Sequence, residues 1–379
     1  MTAPLLPAYG TASLADLSRS LLAVLGMGSG PGDNPLGLEP AKRVLVFLVD
    51  GLGAELLDAH PETAPFLTAR RPRVLTAGFP ATTATSLSTL GTGLPPGEHG
   101  MLGYQLAMPG TGHLLNCLRW TSAGPTVPPD EWQPTPTVFE RAAAAGVSVS
   151  YVAPSEFGPT AFNRAVYRGT EFIGADTLDD RVEGARVALA RPRSHVTVYY
   201  GDLDAAGHRF GWGSPQWLER LAAADNLAER LAGTLPQGSA MYVTADHGMV
   251  NATEWIDVDS QEGRYTALRE GVALLGGDTR VRHVYTAPGA TQAVLGTWSE
   301  LLEGRAWVVS RQEAVESGWF GPRVRQDWLP RIGDVLAVPY TDCVIVASAR
   351  ETLESSFIGV HGSLTAAEQH VPLLEVSTR

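Results

Sequence analysis

Six side chains in this sequence have the types and spacing to hold metal ions. Asp50 closes the apolar run "VLVFLV". Asp204 and His208 form "DAAGH", a spacing of four that puts both on one side of a helical turn. Asp246 and His247 stand together after "MYVTA", and His361 lies in the Gly-rich turn "GVHGSLT". Three carboxylates and three imidazoles without a thiolate suit zinc or a similar divalent ion. Taken singly, each has a plainer role: a strand-end Asp caps a turn, "DAAGH" starts a helix, "ADHG" is a turn, and His361 is a loop histidine. Their joint occurrence at predicted strand ends and Gly-rich turns is what argues for a shared site.

A second feature is the run "FPATTATSLSTLGTGLPPGEHG", residues 79–100, which packs Thr82, Thr83, Thr85, Ser86, Ser88, Thr89 and Thr92 into one stretch. Beside a metal centre, one of these hydroxyls can serve as a nucleophile. A divalent cation stabilises an alkoxide as it lowers the pKa of bound water from 15.7 to about 7. Leu87 and Leu90 have helical spacing, which places Thr83 near a helix N-terminus, where the dipole and free N–H groups favour an anion. Without the metal-ligand residues, the same run reads as a Ser/Thr-rich helix cap.

These residues need a scaffold that brings strand ends together. "KRVLVFLVDG", "VSVSYVAP", "HVTVYYGDLD", "SAMYVTADHG" and "CVIVAS" are β-rich runs closed by polar or turn residues. Helical stretches lie between them: "TVFERAAAAG", "RVEGARVALA" and "SPQWLERLAAADNLAERLAG". Alternation of this kind predicts an α/β fold with a mostly parallel sheet covered on both faces, and function at the carboxyl ends of its strands. The segment 255–338 mixes short strands and helices and reads as a small cap inserted into a catalytic core of 1–254 and 339–379. Near the N-terminus, "SLADLSRSLLAVLGMG" predicts an amphipathic helix capped by Ser13 and Asp16.

The chain has 379 residues and a formal charge of −12. That balance argues against a nucleic-acid or anionic-membrane surface, so an anionic substrate must find positive charge locally, as from a metal. Two cysteines, Cys117 and Cys343, read as buried thiols and fit a reducing, cytoplasmic location. Arg164 and Arg168 in "AFNRAVYRG" are the cationic candidates for substrate, with surface roles as the alternative. Phe157, Phe162, Tyr167, Phe210 and Trp212 could stack a base or fill a core.

The ordered set Asp50, Thr83, Asp204, His208, Asp246, His247, His361 resembles the alkaline phosphatase superfamily, most closely its nucleotide pyrophosphatase/phosphodiesterase branch. The 79–100 run aligns with that branch's nucleophile segment, and "RIGDVLAVP" (331–339) is similar to a segment ahead of its last histidine. The resemblance implies a hydrolase with an alkaline-phosphatase-like fold, two divalent ions (zinc, with manganese possible) and Thr83 as the nucleophile. It implies one ion on Asp204, His208 and His361, and the other on Asp50, Asp246 and His247 with Thr83. The implied partner is a small phosphodiester or pyrophosphate, nucleotide-like, cleaved through a phosphothreonine. The alternatives are a phosphomonoesterase, a phosphonate or sulfate-ester hydrolase on the same site, or a non-catalytic metal-binding relative. Where the branch has an asparagine that donates to a phosphoryl oxygen, this sequence has Tyr104, with Gln105 next to it.

Overall fold

The computed structural model describes residues 3–28, 30–70 and 73–378. Its main sheet has seven strands, in the order Arg73–Thr76, His370–Ser377, Ser239–Thr244, Arg43–Val49, Ser194–Tyr200, Ser148–Ala153 and Glu171–Gly174. From Ser239–Thr244 to Glu171–Gly174 all neighbours run parallel. His370–Ser377 is antiparallel to both strands beside it. Every residue of Ser194–Tyr200 and of Ser239–Thr244 is buried. Successive strand side chains point to opposite faces, so both faces of the sheet are covered. Helix Leu178–Leu189 packs on the Ser148–Ala153 and Ser194–Tyr200 strands, and the long helix Pro215–Gly233 packs in turn on Leu178–Leu189. Full burial of a side chain such as Leu45 or Phe47 is worth roughly 1.5–3 kcal/mol.

Register is what builds the site. Val49 is paired with Tyr200, and Leu48 with Thr244. Three adjacent parallel strands therefore end at one level, with the central one delivering Asp50 and its neighbours leading to Asp204 and Asp246.

A second sheet is antiparallel: Val272–Asp278, Val281–Thr286, Val335–Pro339 and Ala306–Ser310, in that order. Helix Thr291–Leu301 lies on it, and Trp298, with no exposed surface, anchors a separate hydrophobic cluster running from Ile256 to Ala347. The "CVIVAS" run folds as a strand, Cys343–Val346, but pairs with Glu254–Asp257 outside the main sheet. Its place beside the parallel strands goes to His370–Ser377. Cys117 and Cys343 are free thiols and buried. The N-terminal helix is Leu14–Val24, and the Asp16 carboxylate accepts from Ser13 N–H at 3.0 Å and from Ser13 Oγ at 2.6 Å. No helix among the described residues is long and apolar enough to cross a membrane.

Candidate active site

The hydroxyl run forms helix Thr83–Thr92, with every residue buried and Thr82 as its N-cap. Its hydroxyls survive burial by bonding back along the helix. Ser88 Oγ donates to Ala84 O at 2.7 Å, Thr89 Oγ1 to Thr85 O at 3.0 Å, and Thr92 Oγ1 to Ser88 O at 2.7 Å. Thr83 is the first helical residue. Its Oγ1 lies 3.2 Å from His247 Nε2.

All six expected ligands converge beside it. His208 Nδ1 is 2.7 Å from Gly359 O, His247 Nδ1 is 3.0 Å from Gly248 O, and His361 Nδ1 is 2.8 Å from Ala81 O. A carbonyl oxygen only accepts, so each Nδ1 carries a proton and Nε2 is the ring atom left to ligate. The Nε2 atoms face carboxylates. His208 Nε2 is 3.2 Å from Asp204 Oδ2, and His361 Nε2 is 4.0 Å from Asp204 Oδ1. His247 Nε2 is 3.4 Å from both Asp50 Oδ1 and Asp246 Oδ2.

The outer carboxylate oxygens are held by the protein. Tyr199 O–H donates to Asp50 Oδ2 in a short hydrogen bond. Asp246 Oδ1 accepts from the Gly51 and His247 N–H groups, each at 3.1 Å. The inner oxygens, Asp50 Oδ1, Asp204 Oδ1 and Asp246 Oδ2, are buried with no hydrogen-bond partner. Gly51, at φ +75°, is required here, since a Cβ would come 3.0 Å from Asp204 Oδ1.

Unpaired carboxylate oxygens gathered in a buried space repel one another unless positive charge sits between them, and together with the Nε2 atoms they form a donor set that fits divalent cations. Among the described residues, two groups have ligand atoms within 4.8 Å of one another: Asp204, His208 and His361, and Asp50, Asp204 and His247. The second group includes Asp204 where the resemblance implied Asp246, which stands alongside through its contact with His247. The same demand appears in the acidities. Burial, with the charges of Asp246 and Asp204, holds the Asp50 carboxyl well above its usual range. Burial, with Asp204 adding, also raises Asp246. Burial would raise Asp204 too, but His208 and His361 outweigh it and its pKa falls. His361 is lowered by burial and by His247. Burial would likewise lower His208, but Asp204 outweighs it and raises its pKa.

A cavity of about 190 Å³ opens over Thr83, Asp204, His208 and His361. Tyr104 lines it, with its hydroxyl donating to Glu354 Oε1 at 3.0 Å and burial pushing its pKa up to about 12. Arg164 does not. It projects from the exposed side of helix Ala161–Val166, whose Phe162, Asn163, Ala165 and Val166 are buried, and it lines a separate cavity with Asn163, Tyr167 and Arg168. The expectation that Arg164 meets substrate beside Thr83 is therefore not met. Arg168 is committed to the carbonyls of Gln133, Ala165 and Thr135.

The five aromatic candidates do not line the Thr83 cavity either. Tyr167, for one, stacks on Tyr151 with ring centres 3.7 Å apart. The wall is made instead by Arg119, Glu354, Phe357 and Asp278, none of which lies in a recognisable motif. Phe357 stacks on the His208 ring at 4.3 Å.

Solved structures with this fold include three informative neighbours. One is an inactive Thr-to-Ala variant of murine ectonucleotide pyrophosphatase/phosphodiesterase 5 in complex with AMP (17% identity, TM-score 0.66, covering 89% of this chain and 88% of that one). Another is phosphonoacetate hydrolase from Sinorhizobium meliloti 1021 in complex with phosphonoacetate (19%, 0.64, 89% and 90%). The third is human ectonucleotide pyrophosphatase/phosphodiesterase 5 (18%, 0.62, 88% and 87%). Among curated proteins, none matches the sequence. The model of the type I phosphodiesterase/nucleotide pyrophosphatase family matches residues 44–364, from the strand that presents Asp50 to just beyond His361. The chain belongs to that family, within the alkaline phosphatase superfamily.

Proposed function

We propose that this protein hydrolyses phosphodiester or pyrophosphate bonds in small, nucleotide-like substrates, with Thr83 as the nucleophile. One observation carries the reading: three unpartnered carboxylate oxygens and three inward-facing Nε2 atoms gather beside a threonine hydroxyl at a helix N-terminus. Asp204, His208 and His361 would hold one divalent ion, and Asp50, Asp246 and His247 with Thr83 a second, with zinc first and manganese as the alternative. Such ions supply Lewis acidity and offset charge on attacking and leaving oxygens.

The chain's own groups do the positioning. The first N–H groups of helix Thr83–Thr92 have no acceptor within the helix and point toward an incoming phosphoryl group. Thr83 Oγ1 forms a bond to phosphorus as the bond to the leaving alcohol breaks, which leaves a phosphothreonine. Water then cleaves that ester, releases the phosphate product and restores the hydroxyl. Tyr104 lines the cavity where a donor to a non-bridging oxygen is needed. A family neighbour whose Thr-to-Ala variant is inactive supports the assignment.

Thr83→Ala should lower hydrolysis of an aryl phosphodiester by at least about a thousandfold while the melting temperature stays near wild type. Persisting turnover in that variant defeats the nucleophile assignment. The fold shared with phosphonoacetate hydrolase favours a second reading on the same site, a monoester or phosphonate hydrolase.

A further inference from the structure

The cavity wall holds a charge arrangement that bears on this choice. Tyr104 donates its single phenolic proton to Glu354 Oε1 at 3.0 Å, and Arg119 Nη2 lies 3.6 Å from that same oxygen. Tyr104 and Arg119 flank one hairpin, where Cys117 N–H donates to Tyr104 O at 2.7 Å, Glu354 comes from a distant segment, and all three line one cavity with Thr83. Two features fix their geometry. Asn116 Oδ1 accepts from the backbone N–H groups of Leu118 and Arg119, at 3.1 and 2.8 Å, and so sets the turn that carries Arg119. Phe357, three residues after Glu354, is stacked on His208 and ties the other segment to the site.

The pair is asymmetric. The Glu354 side chain is 15% exposed and that of Arg119 is 51% exposed. Water screens the guanidinium charge more than the carboxylate charge. The net field toward Thr83 is therefore that of a carboxylate, and Asp278 adds another from the hairpin of the second sheet. A doubly ionised phosphoryl group gains no free cation here. It also competes with Glu354 for the one proton Tyr104 can donate.

We infer that Glu354 is a specificity-determining residue that sets this site for singly charged phosphodiesters and against doubly ionised phosphates, with Arg119 as its charge partner. The inference rests on the phosphodiesterase reading and names the substrate charge class for that site. Removing the charge while keeping an acceptor for Tyr104 should admit the dianion.

The test uses zinc-loaded full-length protein at pH 8, wild type against Glu354→Gln and Glu354→Asp. It compares kcat/KM for an aryl phosphomonoester and an aryl phosphodiester, and the affinity for inorganic phosphate by calorimetry. Glu354→Gln should raise the monoester-to-diester ratio and tighten phosphate binding, each on the order of tenfold, the scale of one unit charge across a hydrogen-bonded phenol. Glu354→Asp, which keeps the charge, should stay within about threefold of wild type on that scale. A ratio and a phosphate affinity both unmoved by Glu354→Gln overturn the inference. If wild type turns over neither ester, the phosphodiesterase reading fails, and the phosphate affinities still decide the role of Glu354.

Discussion

His99 lies behind the helix that carries Thr83. Its Nδ1 accepts from Met101 N–H at 3.1 Å, so the proton sits on Nε2, which donates to Thr89 Oγ1 at 3.0 Å. A neutral ring is required, and burial together with the Arg331 charge pushes its pKa down to about 3. Burial does the same to His283, to about 3 with the Arg311 charge adding, and to His195, to about 4. The unfolded chain takes up these protons near pH 6.5. The stability of the neutral forms is therefore complete above pH 6.5 and is lost as pH falls from there toward 3. Each histidine contributes a slope of ~1.4 kcal/mol per pH unit in that window. Urea denaturation of His99→Gln between pH 6.5 and 5 should show a slope shallower by about that amount. Parallel slopes for the variant and wild type would contradict a neutral His99. At this scale the convergence of the six expected ligand residues was the most legible feature, because Asp50, "DAAGH", "ADHG" and His361 each follow a strand or sit in a tight turn. Arg119 and Glu354 were not legible. Both sit in irregular segments, and only the folded chain brings "LNCLRW" next to "ETLESSF".

Among the elements, the short helix Ala366–Gln369 joins more of the site than its length suggests. The Glu368 carboxylate receives Arg280 Nε at 3.0 Å and Nη2 at 2.7 Å, along with Ser363 N–H at 3.0 Å and Thr365 Oγ1 at 2.6 Å. Glu368 O accepts from Gly248 N–H, next to His247, at 2.9 Å. Gln369 Nε2 donates to Gly78 O, just ahead of the Thr83 segment, at 3.0 Å. This short helix thus ties the His361 loop, the His247 turn, the Thr83 segment and the second sheet together. Neither Arg280 nor Glu368 has any side-chain exposure, so removing one partner leaves a charge buried and uncompensated. Glu368→Gln should cost about 3–5 kcal/mol of stability in chemical denaturation, and a loss under about 1 kcal/mol would mean the pair holds nothing together.

Element type was readable where apolar runs were continuous, as at Arg43–Val49, Ser194–Tyr200 and Ser239–Thr244. Pairing was harder. An apolar run does not say which sheet it joins, which is why Cys343–Val346 reads like a main-sheet strand and is not one. In His370–Ser377, Pro372 disguises a strand that pairs on both sides.

For the whole molecule, the parallel sheet brings the three aspartates to one level, while helix Thr83–Thr92 and the His361 loop close over them. The hairpin of the second sheet reaches the same cavity with Asp278. A chain carrying −12 overall still has a place for anionic substrates if cations occupy that centre, which is the charge logic the composition implied. The most direct test is a crystal grown with zinc and measured at the zinc absorption edge. Two anomalous peaks are expected, one among Asp204, His208 and His361, and one beside Asp50 and His247 within reach of Thr83 Oγ1. Peaks elsewhere, or none at these carboxylates after zinc is supplied, would contradict the account.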